Sequence, residues 1–461
     1  MNPPLNSLTI ASRLPAPTTG ESTRAAAPAP SPADSQMRCE RALTMLHTHR
    51  GNAQAEIDRI LVADPGCVAA HCLRAALLVL GGAESSQSAL AASAQAIEAT
   101  PNATDRERRH AAAARTYLDA GPAQALEHYG GIVVEWPRDI LALVIAHALD
   151  FRLGRRRMLR DRPAEVLPEW DASVPGYGSV LAMYAFGLEE NGQRRRAEAT
   201  ARRALTLAPG HPGAIHVITH VMEMQGRPRD GLAWLASTES AWAAGTGFSV
   251  HLAWHRAVFQ LELDDVRSAL ATYDAQIAPA EGASASTLVD ASALLWRLAL
   301  QNAPVSDRWQ VLARRWEARL QTSATPFQSV HALMAFAAAG FDAAANRVLD
   351  SLRLANGRTN GEASAHEALA GPLCEALIAF AGKDFARCVE GLTHVRHLAH
   401  RCGGSLAQCD LIHLTLTEAA LRARQSRLAR ALAAERTAQR PASLLNRLLR
   451  RRAQSLLPAP G

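Results

Sequence analysis

The chain has 461 residues, 48% of them apolar and 5% aromatic, with 49 basic residues against 43 acidic ones. That is enough apolar material for a large core, and the scarcity of β-branched runs beside abundant Ala, Leu, Arg and Glu excludes a sheet protein in favour of helix throughout. The formal charge of +6 is carried almost wholly by arginine, Lys383 being the only lysine. No aromatic-basic interleaving accompanies it, so the charge points to no nucleic-acid partner.

Residues 1–37 are rich in Pro, Ala, Ser and Thr, lack a helical apolar period, and are predicted to be a disordered leader. There is no apolar segment of the secretory kind, while Arg13 and Arg24 with little nearby acid leave a transit peptide as the alternative. No stretch reaches the roughly 18 apolar residues of a membrane span. The seven cysteines are odd in number, lack CxxC spacing and fall mostly at apolar helical positions. They read as reduced core residues, which places the chain in the cytoplasm.

Residues 38–461 predict an all-α solenoid of stacked antiparallel hairpins of the tetratricopeptide type, about ten or more in number. Prolines that close a hairpin recur at Pro65, Pro101 and Pro137 and again at Pro209, a period of 36, and Ala53, Ala89 and Ala125 each lie 12 residues before theirs. In the clearest unit a first helix carries Leu181, Tyr184, Ala185 and Leu188. Asn191 and Gly192 turn the chain, and a second helix carries Ala197, Ala201, Ala204 and Leu205 before Pro209 stops it. Such a unit cannot bury its apolar face alone, so neighbours stack into a curved array with a concave groove. Residues 154–176 break the period and predict an arginine-rich loop or extended connection, a candidate boundary between two halves. Residues 410–455 predict basic capping helices, in which Glu435 is the only acid from Arg422 to Arg452. A solvated end of the stack accounts for them, with an acidic partner as the alternative.

Between about 140 and 320 the chain resembles the tetratricopeptide repeat protein 38 family. The blocks that carry this are AHALDFRLGRRRMLRDR (146–162), LPEW (167–170), YGSVLAMYAFGLEENG (177–192), HVITHVMEMQGRPRDGL (216–232) and HLAWHRAVFQLE (251–262). The resemblance implies a helical-repeat protein and brings no established reaction.

The chemistry-bearing constellation is His216, His220 and Glu223 on one helix with His251 and His255 on a later one. Each histidine pair is spaced by four and so shares a helix face, and the two pairs lie 35 residues apart, one repeat length. With repeats starting near Gly178, Pro212 and Gly247, both pairs take the fifth and ninth positions, while Glu189 and Glu223 take the twelfth. By the resemblance, these positions line the concave groove. Three readings stand open: groove-lining or structural histidines; a divalent transition-metal site of imidazoles and a carboxylate; and metal-free acid–base catalysis tuned by Glu189 or Glu223. Phe186, Glu189, Glu190 and Trp254 are candidate ligand-groove residues, although Trp254 falls where a side chain normally packs between helices.

Two function classes follow. The leading one is a scaffold holding a peptide or small-molecule ligand in the groove, with the second as its alternative. The other is a metal-dependent enzyme, of hydrolase or oxidoreductase type, with a histidine-rich site in that groove.

Overall fold

The computed structural model describes residues 32–82, 87–320, 325–356 and 362–456. It is all-α, with 24 α-helices and no β-strand among the described residues. Successive helices pair as hairpins: α1 (Pro32–Thr48) with α2 (Ala53–Ala63), α3 (Val68–Gly81) with α4 (Gln87–Ala99), and α5 (Asp105–Ala120) with α6 (Pro122–Glu135). Next come α7 (Ile140–Arg152) with α8 (Arg156–Val166), α9 (Tyr177–Glu190) with α10 (Arg194–Leu207), and α11 (Pro212–Met224) with α12 (Pro228–Ser237). After the one-turn α13 (Glu239–Trp242), α14 (Ser249–Glu262) pairs with α15 (Val266–Thr272), which runs on into a π-helical turn at Tyr273–Ile277. The stack continues with α16 (Ala285–Leu300) and α17 (Ser306–Arg319), α18 (Pro326–Ala339) and α19 (Asp342–Asn356), and α20 (Glu362–Ala381) and α21 (Phe385–Val395). A 3-10 segment, Arg396–Cys402, leads to α22 (Leu406–Arg422), α23 (Ser426–Gln439) and α24 (Leu444–Ser455). None of the described helices is long and apolar enough to cross a membrane.

The periodic prolines do what the spacing predicts. Pro65, Pro101, Pro137 and Pro209 each stand two residues beyond a second helix, after α2, α4, α6 and α10. In the α9–α10 unit Gly192 takes φ +75° at the turn, and Ala197, Ala201 and Ala204 are fully buried where α10 meets its neighbours. Close helix approach is most severe at Gly187 of α9, where an added Cβ would lie 2.1 Å from the Leu159 carbonyl oxygen of α8. Gly187→Ala is therefore expected to destabilise the fold by about 3 kcal/mol or more, because backbone has to move. Gly131→Ala, where nothing lies within 4 Å, is expected to leave the thermal midpoint unchanged or slightly raised. Parallel thermal melts of the two variants check this.

Three expectations need correction. Most of the leader, residues 1–31, lies outside the described residues, but 32–37 are already helical: Pro32 opens α1, the position that tolerates proline, with Asp34 in its first turn. Residues 154–176 are not a loop, since α8 and the 3-10 turn that follows it, Leu167–Glu169, together occupy most of the segment. Three of its five arginines are neutralised from elsewhere, Arg162 by Asp150 at 2.8 Å, Arg155 by Glu127 at 3.0 Å and Arg156 by Glu190 at 3.5 Å, and Arg157 and Arg160 by Asp161 of the same helix, so α7, α8 and α9 stack without a break.

The C-terminal helices are the third correction. They do not simply extend the array into solvent but fold back across its first helices. The Leu406 amide of α22 donates to Glu190 of α9 at 3.1 Å, Trp296 of α16 donates to Thr415 at 3.0 Å, Arg297 of α16 donates to the Ala407 carbonyl at 3.0 Å, and Ser443 donates to Glu262 of α14 at 2.7 Å. Arg436 and Arg440 are buried, while Arg424, Arg427 and Arg430 are exposed. The face formed by the first helices α9, α14 and α16 is thus covered by the chain's own C-terminal segment.

Candidate metal centre

Helix α11 begins where Pro212 takes the first position and the His211 ring accepts from the Ala214 amide. From that start, residues 216, 220 and 223 share a face. Because α9, α11, α14 and α16 are first helices of successive hairpins, the end of α9, the middle of α11, the start of α14 and the start of α16 meet at one level. The structure brings His216, His220, His251 and His255 together there. One ring nitrogen of each lies within 4.8 Å of the others, and ring centroids are separated by 4.3 Å for His216–His220, 4.7 Å for His220–His255, 4.8 Å for His251–His255 and 4.9 Å for His216–His251.

The glutamates are placed differently from the expectation that Glu223 serves as a ligand. Glu223 Oε2 lies 2.8 Å from His255 Nδ1, and Glu189 Oε2 lies 3.3 Å from His220 Nδ1. His251 Nδ1 meets both oxygens of Asp290, at 3.0 and 3.1 Å. Three of the four imidazoles are thus gripped through Nδ1 by a carboxylate, the arrangement that fixes the tautomer and leaves Nε2 with a lone pair. The Nε2 atoms of His216, His220 and His255 are indeed buried with no hydrogen-bond partner, as is Glu189 Oε1. An unmet buried polar atom costs about 1–3 kcal/mol. Three in one ring are the donor set that a cation placed among them would satisfy.

Electrostatics agree with that chemistry. Burial, reinforced by the other imidazoles, holds His216 and His255 well below the ordinary histidine range, and burial brings His220 down to about 4. These rings are neutral near pH 7, the state that binds metal. For His251, burial pulls down, but the charge and hydrogen bond of Asp290 outweigh it and the net shift is upward. Burial also pushes Glu189 and Glu190 up to about 7, and Glu223 upward. Glu189, Glu190 and His220 form a second set of convergent donor atoms.

Of the ligand-groove candidates, Phe186 flanks the ring, 5.8 Å from His216 and 5.6 Å from His220. Glu189 and Glu190 are buried beside His220, and Glu190 caps the amide that starts α22. Trp254 is fully buried, stacked on His251 at 5.4 Å with the Arg297 guanidinium 5.1 Å from its ring. It is a packing residue that walls the ring and does not line an open groove. Sequence reasoning missed Asp290 and Phe248, whose ring lies 4.9 Å from His216.

Glu223→Gln, which alters the carboxylate behind His255, is expected to weaken metal binding by about 10–100-fold with the four imidazoles intact. Competition titration against a chromophoric chelator measures this, and a change of less than about threefold would contradict the assigned role. No protein-family model matches the chain, so the residues themselves carry the functional argument.

Proposed function

We propose that this chain is a metal-dependent enzyme whose helical stack holds one transition-metal ion among His216, His220, His251 and His255. The observation that carries the reading is the set of three partnerless, buried Nε2 atoms in one ring, two of them on imidazoles held from behind by glutamate. Imidazole donors suit Zn, Fe, Cu or Ni, and tetrahedral nitrogens at about 2.0–2.1 Å from an ion stand about 3.4 Å apart. Small rotamer changes would close the present ring onto one. A bound ion supplies a Lewis acid that activates water or polarises a carbonyl, which favours metal-assisted hydrolysis. Glu189, with an oxygen that no donor occupies, is the group suited to take a proton there.

Access favours the same side. The His251 side chain is 20% exposed, and Phe186 and Phe248 are both partly exposed beside His216. A scaffold that binds a peptide along the face of the first helices needs that face free, and α22 packs against α9 and α16 there, so the enzyme reading is preferred. The blocks that resemble the tetratricopeptide repeat protein 38 family supply both histidine pairs and Glu223, and membership of that family, in the cytoplasm, is part of the same proposal.

Elemental analysis of protein purified without a histidine tag tests the reading. About one equivalent of a transition metal per chain is expected, as native content or after loading with Zn(II) or Fe(II) and gel filtration. Less than about 0.1 equivalent under both conditions overturns it.

A further inference from the structure

Away from the histidine ring, the junction of the first two hairpins places two thiols in contact. Cys39 on α1 is buried, Cys67 stands at the N-cap of α3 and is partly exposed, and their sulfurs are 3.7 Å apart across 28 residues of chain. The two sulfurs differ in kind. Cys67 is drawn down to about 7 by the hydrogen bond from Cys39, against burial and Asp64 and with help from the Ala70 and Ala69 amides at the start of α3. The same contact, with burial and the neighbouring charge of Cys67, pushes Cys39 upward. An accessible thiolate backed by a buried thiol is the arrangement of an attacking and a resolving cysteine.

We infer that Cys39 and Cys67 form a peroxide-oxidisable dithiol that closes to an intramolecular disulfide between α1 and α3. The Cys67 thiolate attacks one oxygen of a hydroperoxide, the O–O bond breaks, and the other oxygen leaves with a proton as water or an alcohol. Cys67 is then a sulfenic acid. The Cys39 sulfur attacks that sulfur, the S–O bond breaks, and the hydroxyl leaves as water with the Cys39 proton. Two thiols are oxidised by two electrons, and the peroxide is reduced by two. Closing the sulfurs from 3.7 Å to the bonded distance of about 2.05 Å falls to the partly exposed Cys67 side chain.

The clip would act on a helix that reaches the core of the molecule. At the far end of α1 the His47 ring bonds Ser179 of α9 at 2.8 Å, and in the following turn Arg50 bridges to Thr246. Tying α1 to α3 therefore fixes the hairpin that buttresses the histidine helices from the N-terminal side. The inference does not depend on the metal.

The test uses the full chain, treated with excess EDTA to exclude metal-catalysed oxidation, then with hydrogen peroxide, alkylated and digested without reductant. A peptide pair linked through Cys39 and Cys67, with two of the seven thiols lost to Ellman's reagent, is expected. Cys39→Ser should stop the sequence at a Cys67 sulfenic acid that dimedone traps. Cys67→Ser keeps a good N-cap residue and should slow thiol loss at least about tenfold. Linkage of other cysteines ahead of this pair, retention of all thiols at a peroxide excess, or failure of dimedone to label Cys67 in Cys39→Ser would each overturn the inference.

Discussion

His220→Asn is expected to lower zinc affinity by about 100–1,000-fold, while His394→Asn, at an exposed position on α21, leaves it unchanged. The size follows from sharing the binding free energy of a four-ligand zinc site, about 10–16 kcal/mol, over its ligands, at about 1.4 kcal/mol per decade. His220 is the member with most to lose. Its ring is fully buried, contacts His216 and His255, and is held from Nδ1 by Glu189, so its loss removes a donor from the centre of the ring. A thermal counterpart accompanies it: ligand that binds only the folded chain raises stability by RT ln(1 + [L]/Kd). The wild-type melt should therefore rise with zinc and fall with chelator, whereas the His220→Asn melt should respond to neither at the same concentrations. Isothermal titration with both variants decides it, and equal affinities would remove His220 from the site.

Much of this was legible from spacing. The 36-residue proline period locates hairpin ends because a proline two residues past a helix can neither donate the next hydrogen bond nor let its predecessor stay helical. The histidine pairs were legible for a related reason, since spacing by four sets a helix face and one repeat length sets equivalent levels on neighbouring helices. What the glutamates do was not. Register places Glu223 near the ring, but whether it meets an ion or the Nδ1 of His255 depends on side-chain rotamers. Asp290 escaped because it lies 39 residues from His251, whereas the two glutamates lie 31 and 32 from their histidines, so no shared offset pointed to it. In 154–176, Pro163 and five arginines are local signals for a break. Asp161 pairs locally with Arg157 and Arg160, but the carboxylates that neutralise Arg155, Arg156 and Arg162 are 12 to 34 residues away and have no local signature. The folded-back C-terminus is harder still, for its contacts span 110 to 216 residues and a repeat period carries no information about which face the last units cover.

That cover is itself held by a buried ionic clamp, and Asp410→Asn is expected to cost about 3–5 kcal/mol locally, the usual result of removing one partner from a buried ion pair. Arg436 reaches both Asp410 oxygens, at 2.9 and 3.1 Å, and Arg440 contacts the same carboxylate. Arg436 also bonds Asn446 of α24 at 3.0 Å, so one carboxylate organises α22, α23 and α24. Its loss strands two guanidiniums with side chains only 5% exposed. The pH dependence distinguishes this clamp from generic surface charge. Burial pushes the Asp410 carboxyl up, but Arg436 and Arg440 outweigh it and hold it well below the ordinary carboxylate range. A carboxyl depressed on folding contributes its full stabilisation above its unfolded value of about 3.9 and loses it only as pH falls through the folded value. The difference between wild type and Asp410→Asn should therefore stay constant from about pH 5 to about pH 8 and shrink only in stronger acid. Native-state hydrogen exchange of the α22 and α23 amides is the suitable measurement, because a repeat stack can open in parts. A difference below about 1 kcal/mol, or one that changes across neutral pH, would mean that the clamp does not hold the cover over the histidine ring.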